Sequence, residues 1–191
     1  YPLERREQEI FATVRALKGC SFAIIGGYAV NAYTLPRFSV DCDIVVRDGN
    51  DAKRIGRILS RCGYVVEPVS EAPLPYHGEF VRYEKELEKG FRVSMDMLIG
   101  KVVDRQTGAV LTADWLFGNS SLVTLRGKTI AEGVRVLVPR VEALVVMKLL
   151  SCRTTDIRDI FMMLPLVKDK YFVQREVNAL ANFKKQLAKV Q

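Results

Sequence analysis

The chain has 191 residues, 49% of them hydrophobic, enough to bury a full core in one compact unit. A formal net charge of +7 and a pI of about 9.3 set it among proteins that attract polyanions. It has no long uncharged apolar run, no C-x-x-C pair and a single histidine, His77, which argues against a membrane-spanning helix and against a zinc site.

In chain order, the first nineteen residues, YPLERREQEIFATVRALKG, are charged and amphipathic, with Ile10, Phe11, Val14 and Leu17 at helical spacing. The chain starts at Tyr1 without an initiating methionine, so the numbering is expected to begin inside a longer or processed chain, and nothing at this end reads as a secretion signal. Residues 22–25 read as a buried strand ending at Gly26-Gly27. Paired glycines allow a tight turn and a close approach to a ligand, and a helix predicted to start at Tyr28 would offer free N–H groups to a triphosphate.

The next strand carries the most informative pattern. Successive side chains on a strand point to opposite faces, so Val40, Cys42, Ile44 and Val46 form an apolar row while Arg37, Ser39, Asp41 and Asp43 project from the other side. Two carboxylates held that close repel one another unless cations or several donors meet them. Mg²⁺ fits because it prefers hard oxygen ligands; the alternative is a solvated strand end whose aspartates cap a turn.

A helix is predicted over about 51–62, a strand over 64–67, a proline-rich loop holding His77, and strands near 78–83 and 91–99. His77 reads as a surface residue, with substrate contact as the alternative. The run FRVSMDMLIG alternates, with Val93, Met95, Met97 and Ile99 on one face and Arg92, Ser94, Asp96 and Leu98 on the other. Asp96 is the one acid in that run, which marks it as an edge residue or as a site residue beside another strand's acids. Three carboxylates on neighbouring strands can hold two metal ions about 4 Å apart, the arrangement that clamps an in-line phosphoryl displacement.

After Asp104, short turn-separated runs predict a small hairpin region, and helices close the chain from Pro139 onward. Residues 139–151 are predicted to form a helix with proline in its first turn, apolar nearly all round beyond Glu142, with Lys148 its one interior charge. Lys148 is either a snorkelling lysine or a cation that meets a triphosphate, since a buried ammonium needs an anion. Arg153 follows, and Asp156 and Asp159 lie one turn apart at a predicted helix start, where capping and a supporting role at the site are both open. Cys20, Cys42, Cys62 and Cys152 are scattered, which fits reduced thiols in a cytoplasmic protein. A Cys20–Cys62 bridge is the alternative, and Cys42 belongs to the core. The result is an α+β fold with a mixed α/β sheet flanked by helices, residues 1–138 forming the core and 139–191 a helical region packed on it as one compact unit.

Taken together, Gly26-Gly27, then Arg37-x-Ser39-x-Asp41-x-Asp43, then Asp96, resemble the polymerase-β-type nucleotidyltransferase superfamily. Within it the chain is most similar to AbiEii-type toxin nucleotidyltransferases, which read G-G, R-x-T-x-D-x-D, a strand aspartate, a helix with K, and R-x-K-D-x-x-D. Lys148, Arg153, Asp156 and Asp159 stand in the matching places, while Ser39 replaces threonine, Thr155 replaces the second lysine, and Gly27 replaces a serine common in the superfamily. Thr155 removes a cation that could contact the nucleotide. The resemblance implies a polymerase-β-like core and transfer of a nucleoside monophosphate from an NTP, ATP among the candidates, to an acceptor hydroxyl. On that reading Asp41, Asp43 and Asp96 hold two Mg²⁺ ions, with Mn²⁺ as a substitute, and Asp96 also takes the hydroxyl proton. Gly26, Gly27, Arg37, Ser39, Lys148 and Arg153 bind the nucleotide.

The implied acceptor is the 3′ end of tRNA, with a separate antitoxin as protein partner and no membrane. Relatives that modify a protein tyrosine or an antibiotic hydroxyl leave those acceptors open. A nucleotide- or RNA-binding module that has lost turnover is the contrasting class, and the presence of all three carboxylates argues against it. The lysine-rich end, KDKYFVQREVNALANFKKQLAKV, adds a basic helical face that suits RNA or is merely solvated.

Overall fold

The computed structural model describes residues 1–67, 76–77, 80–105 and 107–180. The proline-rich loop, the predicted strand start at 78 and the lysine-rich stretch beyond 180 lie outside the described residues. Helix α1 (Pro2–Ala16) leads into strand β1 (Ala23–Ile25), helix α2 (Gly26–Asn31), strand β2 (Asp41–Val46) and helix α3 (Gly49–Arg61). Strands β3 (Val65–Val66), β4 (Tyr76–His77), β5 (Phe80–Glu88), β6 (Phe91–Ile99), β7 (Lys101–Asp104) and β8 (Val110–Thr112) follow. Then come α4 (Ala113–Gly118), β9 (Ser120–Leu125), β10 (Val134–Pro139), α5 (Val141–Ser151), α6 (Thr154–Met163) and α7 (Lys170–Leu180).

Seven strands form one sheet in the order β3-β5-β6-β2-β1-β10-β9, and β4, β7 and β8 form a second, three-stranded sheet. The large sheet is mixed, with β1 parallel to β10 and β2 parallel to β6, and antiparallel pairs elsewhere. The period-2 alternation divides its side chains as predicted. Cys42, Ile44, Val46, Val93, Met95 and Met97 enter one apolar cluster with Ile10, Phe11, Ile55 and Leu59 of α1 and α3. Ile25, Val45 and Leu98 enter a second cluster on the opposite face, with Leu111, Leu116, Val146 and Leu150. The acids of β2 and β6 share that second face, and α5, buried nearly all round, feeds both clusters.

Local chemistry explains the helix ends. Asp48 caps α3 by accepting from the backbone N–H groups of Asn50 at 2.8 Å and Asp51 at 3.0 Å, a contribution of about 1 kcal/mol. Glu7, sealed inside α1, accepts from Lys128 N, Thr129 N and Thr129 Oγ1 at 2.6–2.7 Å and so ties the β9–β10 turn to the first helix.

Several expectations are corrected. Helix α2 starts at Gly26, two residues before Tyr28. Val40 is 60% exposed and lies outside β2, which begins at Asp41, so the apolar row is Cys42, Ile44 and Val46. His77 belongs to a short strand paired with β7 rather than to a loop. The hairpin expected after Asp104 is present as the antiparallel pair β9–β10, which joins the main sheet through β10 against β1. Pro139 ends β10, and α5 begins at Val141 behind Arg140. All four cysteines are free thiols, so the Cys20–Cys62 bridge is absent. Burial, then the three nearby carboxylates, push the Cys42 thiol well above its ordinary range, as suits a core residue and not a nucleophile. No helix among the described residues is long and apolar enough to cross a membrane.

Candidate active site

Parallel pairing of β2 with β6 sets Asp43 directly beside Asp96 and Asp41 beside Ser94. Antiparallel pairing continues the first row on both sides, to Ile25 of β1 and to Arg82 of β5. The row therefore reads Ile25, Asp43, Asp96, Arg82 across four strands. Glu67 N donates to Arg82 O at 2.9 Å and extends it to a fifth position.

Asp41 and Asp43 are half-buried, whereas Asp96 is 1% exposed. The Ser94 hydroxyl donates a short hydrogen bond to Asp41 Oδ1. Both oxygens of Asp96 are held by one guanidinium, with Arg82 Nε to Oδ1 at 2.8 Å and Nη2 to Oδ2 at 2.7 Å. Burial raises the Asp96 carboxyl above its ordinary value and Arg82 opposes that only in part, while the hydrogen bond to Asp96 raises the arginine further.

The glycine pair is needed for the chain's own side chains. Gly26 has φ +69°, and a Cβ there would lie 2.2 Å from Asp43 Oδ2. A Cβ on Gly27 would lie 2.6 Å from Ser39 Oγ and 3.1 Å from Arg37 Nη2. The close approach inferred from these glycines is thus made by Asp43, Ser39 and Arg37 themselves.

Arg37, Lys148, Asp156 and Asp159 come together in a buried ionic network. Lys148 Nζ donates to Asp156 Oδ1 at 2.6 Å and lies 3.0 Å from Asp159 Oδ2. Asp159 also accepts both Nε (3.0 Å) and Nη2 (2.8 Å) of Arg37. The second oxygen of Asp156 accepts from Ser151 Oγ, Arg153 N and Arg153 Nε at 2.7–3.0 Å. Burial raises the Asp156 carboxyl, but these donors, Lys148 first, outweigh it and bring it down to about 2. The anion that a buried Lys148 requires is therefore present within the protein, which removes the sequence argument for a triphosphate in that place. Asp156 does cap α6 through Arg153 N, while Asp159, one turn on, serves the network alone. A cavity of about 50 Å³ beside Gly26, walled by Lys148, Ser151 and Arg153, has room for little more than a water molecule or two.

Asp41 and Asp43 supply hard, partly exposed oxygen donors on one face, a set that fits a Mg²⁺-like cation. Arg82 holds both oxygens of Asp96, and among the described residues no group of three candidate metal ligands comes together. Sequence reading missed Arg82, Glu67 and the bond from Ser94. It also missed Asn31, which is fully buried and holds the Arg37 backbone, donating to Arg37 O at 2.7 Å and accepting from Arg37 N at 3.1 Å. The alternation of FRVSMDMLIG places Ser94 on the acid face, so its presence there was legible, as was a strand over Arg82, whereas the register that sets Arg82 against Asp96 was not.

No protein-family model and no curated protein matches the chain. Solved structures do. The antibiotic-resistance factor ANT(2'')-Ia is similar with a TM-score of 0.58 at 16% identity, over 98% of this chain and 95% of that one. The lincosamide antibiotic adenylyltransferase LnuA, solved with lincomycin bound, is similar with a TM-score of 0.53 at 18% identity, over 84% of this chain and 98% of that one. An antigenic nucleotidyltransferase-like protein from Paracoccidioides brasiliensis gives 0.52 at 19% identity, over 96% and 91%. The chain has the nucleotidyltransferase fold, a mixed sheet flanked by helices.

Proposed function

We propose that this protein transfers a nucleoside monophosphate from an NTP to an acceptor hydroxyl and releases pyrophosphate. The observation that carries the reading is the pair Asp41 and Asp43 on one face of β2, with Asp43 packed over Gly26 and in register with Asp96, within a fold shared with a protein named as an adenylyltransferase. Asp41 and Asp43 hold the divalent cation, Mg²⁺ or Mn²⁺. When bound, that cation supplies the positive charge that acidifies the attacking hydroxyl and stabilises the leaving pyrophosphate.

The protein's own residues do the positioning. Ser94 fixes the orientation of Asp41, and Gly26 leaves the space that lets Asp43 stand beside it. Asp96 accepts the hydroxyl proton, a role supported by its register with Asp43 across the strand pair. Arg37 and Ser39 line the Gly27 side of the turn, and Lys148 and Arg153 line the cavity on the Gly26 side.

Two acceptors are supported by separate observations. The +7 charge and the motif likeness to AbiEii-type toxins favour the tRNA 3′ end, with an antitoxin as the protein's partner. End-to-end likeness to antibiotic-modifying enzymes favours a small-molecule hydroxyl. The test is transfer of label from each α-³²P NTP with Mg²⁺, offering total tRNA, cell extract, or a panel of aminoglycosides and lincosamides, to the unsubstituted protein and to Asp41→Ala/Asp43→Ala. Label in the tRNA band from the unsubstituted protein alone supports the toxin reading, and a labelled small molecule on thin-layer plates supports the second. A labelled protein band points to protein nucleotidylation. Transfer by the doubly substituted protein at an undiminished rate would refute the site.

A further inference from the structure

We propose that a cleft at the end of the sheet remote from Asp41 is a second binding site, for a small anion with an aromatic body. The proposal does not depend on the nucleotidyl-transfer reading. Strand β2 carries Asp41 at its start and Val46 at its end, about 17 Å apart at roughly 3.3 Å per residue. Arg47 follows Val46 and so stands at the far end from the acids. There a cleft of about 930 Å³ lies between the turn that joins α1 to β1, the start of β10, and Phe117 of α4. Its volume is that of a pocket able to enclose a drug-sized molecule.

Charge and shape point to the same ligand. Arg15, Lys18, Arg47 and Arg135 line the cleft, and no acidic residue does. All four are exposed, and none forms a salt bridge among the described residues. Arg15 donates to the backbone oxygen of Glu132 at 2.8 Å, which leaves its charge unneutralised. Like charges grouped in this way repel, and an anion that joins them relieves the repulsion. The wall between them is apolar, with Phe22, Leu137 and Leu122, the last 61% exposed. Phe117 has Arg47 over its ring, the guanidinium carbon 4.4 Å from the centroid. A planar guanidinium placed over one ring has a second face on which a ligand's ring can stack. A ligand can thus bury its ring against this wall while its charge meets exposed cations. A polynucleotide draws its affinity from phosphate contacts, for which an apolar concavity is not needed, so the small anion is the better fit. Carboxylate and phosphate supply the same charge, and the experiment separates them.

The probe is anilinonaphthalene sulfonate, an aromatic anion that fluoresces in an apolar site. It is titrated into the full chain and then displaced by naphthyl phosphate, naphthoate or neutral naphthol. Either naphthyl anion is expected to displace it at concentrations about tenfold or more below those of naphthol, and the stronger of the two identifies the charged group. Arg47→Gln/Arg135→Gln is expected to weaken probe and anions about tenfold or more, because two charged contacts are lost. Lys53→Gln/Arg57→Gln removes the same charge from exposed positions of α3 outside the cleft. That variant and Asp41→Ala/Asp43→Ala are expected to keep every affinity within about twofold. An equal loss in the two variants that remove positive charge would overturn the site, as would naphthol matching the anions, or the absence of saturable binding. A loss in Asp41→Ala/Asp43→Ala would move the probe to the acid face and overturn it too. Displacement by total tRNA at lower concentrations than the naphthyl anions would overturn the small-ligand reading in favour of RNA. Should Arg47→Gln/Arg135→Gln not fold, Lys18→Gln/Arg135→Gln takes its place with the same expected loss.

Discussion

Replacing Gly26 by alanine separates backbone strain from the packing of an acid. Gly26 has φ +69°, in the left-handed region that costs an L-residue about 1–2 kcal/mol. Roughly 0.4–1 kcal/mol of that is offset because alanine also restricts the unfolded chain. The strain alone thus costs about 1 kcal/mol. The new Cβ would also stand 2.2 Å from Asp43 Oδ2, where ordinary contact begins near 3.4 Å, so the carboxylate must retreat by roughly an ångström. Displacing a catalytic group by that much costs about 10²-fold in rate, and the overpacking adds about 1–2 kcal/mol to the loss of stability. Gly19 is the control, with φ +84° and nothing within 4 Å of its Cβ position. In urea unfolding Gly19→Ala should lose about 1 kcal/mol and Gly26→Ala about 2–3 kcal/mol. In the labelling assay only Gly26→Ala should lose transfer. Equal stability and equal transfer in the two variants would refute the packing of Asp43 against Gly26.

Three further outcomes are expected. Asp156, held at about 2 against an ordinary 3.8, contributes on the order of 2 kcal/mol that is present at neutral pH, fully so above the ordinary value, and fades as pH falls from 4 to 2; Asp156→Asn should flatten the stability profile over that window in urea titrations at pH 7, 4, 3 and 2, and an unchanged slope would contradict the assignment. Glu7→Ala strips three hydrogen bonds from a sealed carboxylate and leaves two backbone N–H groups of the β9–β10 turn without it, a loss of about 3–5 kcal/mol in unfolding free energy; a loss under about 0.5 kcal/mol would show that the turn finds other partners. Lys148→Met deprives two buried aspartates of their shared cation and should cost about 3–5 kcal/mol, partly recovered when Asp156→Asn is added. A thermal midpoint left unmoved by Lys148→Met would place the lysine outside the network.

Strand periodicity made the heart of this site readable from the sequence. In residues 41–46 and 91–99 the alternation fixes which side chains share a face, because successive Cβ atoms on a strand point oppositely whatever the strand packs against. Cys42, Ile44, Met95 and Met97 therefore went to the core, and Asp41, Asp43, Ser94 and Asp96 to the other side. The stripe of α1, Ile10, Phe11, Val14 and Leu17, was legible for the same local reason at a period of 3.6. What periodicity does not carry is which strand lies beside which, and in what register. That Asp43 meets Asp96 and not Ser94, that Arg82 faces Asp96 from β5, and that β10 enters the sheet next to β1 were decided by the packing of whole elements.

The charged residues show the same division. The sequence marked Lys148 as a buried cation in need of an anion, but the identity of that anion depended on α6 folding back on α5 so that Asp156 and Asp159 reach it. Glu7 looked like any polar residue of a charged helix, and only the return of the chain more than a hundred residues later gave its carboxylate three donors. Local backbone geometry sets which face a side chain takes; the partner it finds there is set by contacts between segments distant in sequence, whose energies the sequence alone does not pair.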